Sequence, residues 1–178
     1  MTRGRILQKF SLKEGHATHA PLTKGIRWGF IGGLTGTMVM DGLLMAIFHA
    51  VKLPAFLCFS IVGDTVSQLF SKLNLQVASG VPTGITAHYL IGPLFGVLFG
   101  VIVEIIPSLR VVYLKKTLLV AIVYVEVLSQ PILLTTPILL KLEVSETLQW
   151  YGGSFVMHLI MALVLGTVMW YELRPGSR

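Results

Sequence analysis

Six ionisable residues lie within long apolar stretches of this chain: Asp41, His49, His88, Glu104, Glu126 and His158, with Gln130 as an uncharged companion. Residue type limits the chemistry open to them. A carboxylate and two imidazoles, here Asp41, His88 and His158, are plausible ligands for Zn2+, Cu2+ or Fe2+. The same set can pass protons, because imidazole titrates near neutral pH. His88 and His158 alone could hold the iron of a haem b between them. The plain alternative is that these groups only hydrogen-bond across helices, at well under about 2 kcal/mol each. No HExxH, CxxC, P-loop or GxSxG pattern occurs, so those enzyme classes are not indicated. The single cysteine, Cys58, reads as a small apolar residue rather than a nucleophile.

The elements that carry these residues follow from composition. The 178 residues are 54% hydrophobic and 12% charged, with a mean hydropathy of +0.79. Soluble domains carry about 25% charged residues, so this chain cannot cover a water-facing surface of its own size. Collagen, disorder and a disulfide scaffold are excluded by the missing glycine period, the high apolar content and the lone cysteine. An integral membrane protein remains. Four stretches approach the ~20 apolar residues that a spanning helix needs: 25–51, 83–106, 116–140 and 150–171. Each reads as a helix, because backbone polar groups cannot stay unpaired in hydrocarbon. The alternation of a transmembrane β-strand is absent from the sequence. The expected fold is all-α: one membrane domain over residues 1–178, a polytopic four-helix bundle.

Lysine and arginine set the expected orientation. Residues 1–24 form a basic arm with Arg3, Arg5, Lys9, Lys13 and Lys24, followed by Arg27. The loop between the second and third spans holds Arg110, Lys115 and Lys116, and the tail holds Arg174 and Arg178. The opposite side has only Lys52, Lys72 and Lys141. Both termini are therefore expected in the cytoplasm, with the chain in the inner (plasma) membrane. The net charge of +6 suits anionic lipid headgroups, and no nucleic-acid recognition pattern accompanies it. The arm lacks the apolar core of a signal peptide. Ile6, Leu7, Phe10 and Leu12 could rest on the membrane surface. Residues 54–73 begin apolar and turn amphipathic, and a fifth span there would break the charge tally. They read as an interfacial or re-entrant helix over the outer mouth of the bundle.

Small residues recur in steps of four. Gly25, Gly29 and Gly33 line the first span, Gly84, Gly92, Gly96 and Gly100 the second, and Ser154, Ala162 and Gly166 the fourth. Such faces let membrane helices approach closely. His88 and His158 sit in two of these ladders, each followed by a glycine eight residues on, so the two hairpins look like a parallel repeat. At ~1.5 Å of rise per residue, Asp41 and Gln130 lie roughly 15 Å below the outer ends, His158 roughly 12 Å and His88 roughly 8 Å. Glu126 falls one turn below Gln130. Four side chains from four helices could thus meet in the outer half of the bilayer.

The run GFIGGLTGTMVMD from Gly29 to Asp41, followed by HYLIGPLFG from His88 to Gly96, resembles a loose group of small prokaryotic inner-membrane proteins. That resemblance implies a four-helix membrane fold and carries no settled activity. The expectation is a small, non-enzymatic membrane protein in which Asp41, His88, Glu126, Gln130 and His158 handle protons or ions. It would act alone, as a homo-oligomer, or within a larger complex. The alternatives are a haem b anchor on His88 and His158, or a purely structural subunit.

Overall fold

A computed structural model describes residues 20–109 and 113–174. Its described residues form α1 (Ala20–Ala50), α2 (Leu57–Ser71), α3 (Val81–Ile105), α4 (Leu114–Leu140) and α5 (Val144–Leu173), with a short 3-10 turn at Pro107–Leu109 and no strand. The fold is an all-α bundle, and α1, α3, α4 and α5 are each long and apolar enough to cross a membrane. Their outward faces carry apolar side chains such as Phe30, Leu90, Val123, Val127, Ile138 and Phe155, which suit contact with lipid.

Two helices extend past their apolar runs. Ala20–Lys24 belong to α1 rather than to an arm. The rest of the expected arm, with Ile6, Leu7, Phe10 and Leu12, lies outside the described residues. Helix α5 begins at Val144, because a capping box satisfies its first turn. Glu143 accepts from the backbone of Glu146, whose side chain accepts from Glu143 N–H at 2.9 Å. Helix α2 has 15 residues. That gives about 22 Å at 1.5 Å per residue, short of a ~30 Å hydrocarbon core.

Contact with no side chain between the backbones decides the packing. Helices α1 and α3 run antiparallel, with Gly25 facing Gly100, Gly29 facing Gly96 and Gly33 facing Gly92. A Cβ on Gly29 would run into the Gly96 carbonyl oxygen, and one on Gly96 into that of Gly29. On its other side α1 meets α5, Gly32 against Leu165 and Gly36 against Met161. Helix α5 then meets α4, where Gly166 lies on Leu118 and Ala121. Phe99, Val125, Leu165 and Met169 fill the core between them. The seam between α3 and α4 is bridged by side chains. The Tyr124 hydroxyl donates to Phe95 O at 2.8 Å, and the Tyr124 and Phe99 rings are 5.1 Å apart.

Helix α2 packs against the first turns of α3 and reaches the last turns of α4. Gly63 faces the Gly80 carbonyl and Gly84 faces that of Phe59, again with no room for a Cβ. Gly80 opens α3 at φ 81°, a backbone region that side-chain-bearing residues seldom enter. Its N–H donates to Asp64 Oδ1 at 2.9 Å. Toward α4, Thr65 donates to Ile61 O and shares a 3.2 Å hydrogen bond with Thr136 Oγ1.

Candidate functional site

A cavity of about 450 Å3 lies inside this end of the bundle. All five helices wall it, α2 through Leu57, Cys58, Ile61 and Val62. The walls are mainly apolar, and Met40, Phe95, Met157 and Met161 are typical of them. Polar groups enter at two levels. His88, His158, Ser129 and Ser154 stand inside, while Glu146 and Gln149 sit on the first turns of α5 near the mouth.

The α1–α3 crossing places the central pair. One turn beyond Gly33, Thr37 fits against Gly92 and donates to Gly33 O at 2.9 Å. One further turn brings Asp41 across from His88. His88 Nδ1 and Asp41 Oδ1 are 2.9 Å apart. Asp41 is 2% exposed, so its carboxyl group is held almost wholly out of solvent. An ionised carboxylate can only accept, so His88 donates from Nδ1 and, in a neutral ring, its Nε2 is left as an acceptor. The Phe59 ring from α2 packs against the imidazole in a T-shaped pair, with centroids 5.1 Å apart. Asp41 Oδ2 is buried with no hydrogen-bond partner among the described residues.

His158 enters from α5 and lines the same cavity as His88. Its Nδ1 is also buried without a partner among the described residues. Asp41, His88 and His158 are thus brought together. They do not form a ligand set: among the described residues no three His, Cys, Asp or Glu side chains are grouped to hold a metal ion. Of the three expected ligands, Asp41 is held by His88 Nδ1 and does not itself line the cavity.

Glu126 and Gln130 do not join the cluster. The inward row of α4 is Thr117, Ala121, Val125, Ser129, Leu133 and Thr136. Glu126 and Gln130 each follow that row by one residue, a rotation of about 100°. Gln130 turns back to donate to Glu126 O at 3.0 Å. The Glu126 carboxylate is covered, has no partner among the described residues and lies off the cavity wall. Ser129 occupies the wall position instead. His49 is exposed at the end of α1, and Glu104 lies at the opposite end of the bundle beside Gly25.

Sequence reasoning missed Ser129 and Trp150, and it read residues 54–73 as a cover for the outer mouth rather than as part of the cavity wall. The four-residue step from Thr117 to Leu133 was the signal for Ser129. Trp150 answers a proline: Pro137 has no N–H, which frees Leu133 O within α4. Trp150 Nε1 donates to that carbonyl at 3.2 Å, which pins the start of α5 beside the cavity. On α2, Cys58 lines the wall, and burial, followed by the negative charge of Asp41, pushes its thiol from the usual 9.0 to about 12. It is held as a neutral thiol and is unsuited to nucleophilic work.

Compared with protein-family models, curated proteins and solved structures, the chain matches none.

Proposed function

We propose that this multi-pass protein exchanges protons between its cavity and the Asp41–His88–His158 cluster, as a non-enzymatic component of the inner (plasma) membrane with both termini cytoplasmic. The observation that supports this reading is the Asp41–His88 pair at 2.9 Å, with Asp41 2% exposed and His88 lining a mainly apolar cavity. Ionisable groups at membrane depth are costly and tend to mark proton or ion pathways. A proton arriving at His88 Nε2 makes an imidazolium that Asp41 stabilises directly. His158 offers a second imidazole in the same cavity. The other titratable groups around the pair are Cys58 on the cavity wall, Tyr89 next to His88 on α3, and Glu146 on the first turn of α5. On the α4 wall, Ser129 is polar without being titratable in this range. The basic ends of the helices support the orientation: Lys24, Arg27, Lys115, Lys116 and Arg174 lie at the end away from α2.

The test is proton uptake by the full chain in vesicles, followed with an entrapped pH dye and with infrared difference spectra between pH 5 and 8. A carboxyl or imidazole band that is lost in Asp41→Asn and in His88→Phe is the expected result. Identical spectra for wild type and both variants would sink the reading. A second reading, haem b held between His88 and His158, has in its favour that both rings line one cavity. A Soret band in protein purified from haem-replete cells would select it over proton exchange.

A further inference from the structure

The cavity is much larger than a proton path requires. At about 450 Å3 it falls within the size range of pockets that enclose drug-sized molecules. We infer that it binds a neutral, lipid-soluble molecule carrying one hydroxyl, with that hydroxyl between His88 and His158 and the apolar body along Met40, Phe95, Met157 and Met161. This rests on the reading of Asp41 and His88 as the working pair.

The polar atoms select the head. His88 commits Nδ1 to Asp41, which leaves Nε2 to accept. His158 Nδ1 is buried and unpartnered among the described residues. A hydroxyl can donate to one imidazole nitrogen and accept from another, so one small group answers both rings. It also relieves the cost of a buried polar atom left without a partner. Charge selects against an ionic head. The wall contains no lysine or arginine, and an anion would lie near Asp41. A cation would meet the two imidazoles, because Asp41 stands behind His88 rather than on the wall and the one lining carboxylate, Glu146, is on the first turn of α5. The remaining wall selects the body, because an apolar chain loses little by leaving lipid for a surface of methionine, leucine and phenylalanine side chains.

The test uses the full chain in lipid nanodiscs and ring-brominated para-hexylphenol as probe. Bromine quenches the fluorescence of Trp150, which lines the cavity. Trp28→Phe and Trp170→Phe remove the other two tryptophans. Saturable quenching is expected, with a midpoint about tenfold weaker for brominated hexylbenzene and for His158→Phe, the scale of one lost hydrogen bond. Equal, non-saturating quenching by both probes would show partition into the bilayer alone and overturn the inference. Tighter binding of the matching brominated hexylbenzoate at pH 8 would overturn the neutral head. The two probes differ by one oxygen atom, so the comparison holds even if a variant fails to assemble. Proton uptake without saturable phenol binding removes this inference alone. Saturable phenol binding without proton uptake removes the proton-exchange reading alone.

Discussion

At the scale of the residue, the Asp41–His88 pair is asymmetric. Replacing Asp41 with asparagine keeps an acceptor for His88 Nδ1 and removes the buried charge. Replacing His88 with alanine leaves the carboxylate buried and alone. His88→Ala should therefore cost about 3–5 kcal/mol, as for other broken buried pairs, and Asp41→Asn well under that. Unfolding by titration with denaturing detergent would measure both, and equal losses would show that the charge is not held as described. Cys58 gives a prediction of opposite character. With its thiol pushed to about 12, maleimide labelling of the folded protein should stay slow as pH rises from 7 to 9, where an ordinary cysteine accelerates. The raised value also means that the unfolded chain loses this proton first. Cys58 therefore favours folding less as pH climbs from 9.0 toward 12. Residue type pointed to Asp41, His88 and His158, and pointed equally to Glu126 and Gln130. A helix in lipid is apolar on its outer face too, so the periodicity that separates inside from outside in a soluble helix is lost. One residue of offset on α4 was therefore invisible.

At the scale of the element, the glycine ladders could be read as close-packing faces, but spacing does not say which helix faces which. The structure pairs the ladder of α1 with that of α3 through backbone contact. Gly96→Ala should then destabilise by about 1–3 kcal/mol, since the added methyl meets backbone atoms that cannot move aside. At Gly42 and Gly152 a Cβ would meet nothing within 4 Å, and alanine there should be neutral or stabilising by up to about 1 kcal/mol. Thermal unfolding of the set in one detergent tests both directions at once. Trp150→Phe removes the indole hydrogen bond to Leu133 O, and should cost on the order of 1 kcal/mol. The larger effect should be on the cavity, through a looser start of α5. Helix α2 was legible as a non-spanning segment from its mixed polarity. Its backbone contact with α3 was not, because Gly63 and Gly84 gain meaning only when the two backbones touch.

At the scale of the whole molecule, four long helices and one short one return the described ends of the chain to a common side. Single cysteines at Lys72 and Lys141, in a Cys58→Ala background, should be labelled from one face of the membrane by an impermeant reagent, and a cysteine at Lys115 from the other. Labelling of Lys115 and Lys141 variants from the same face would refute the four-span topology. The bundle is unevenly bound: backbone contact joins α1 to α3, while side chains alone bridge α3 to α4. The tight crossing also acts as a ruler. Glycines at 25, 29 and 33 meet those at 100, 96 and 92, and the carboxylate and imidazole follow at fixed offsets, eight residues after Gly33 and four before Gly92. A searchable signature results, three glycines in steps of four leading to an aspartate, and later a histidine leading three glycines in the same steps. Any chain that carries both halves on successive antiparallel spans should present the same acid–imidazole pair, however little of the remaining sequence it shares.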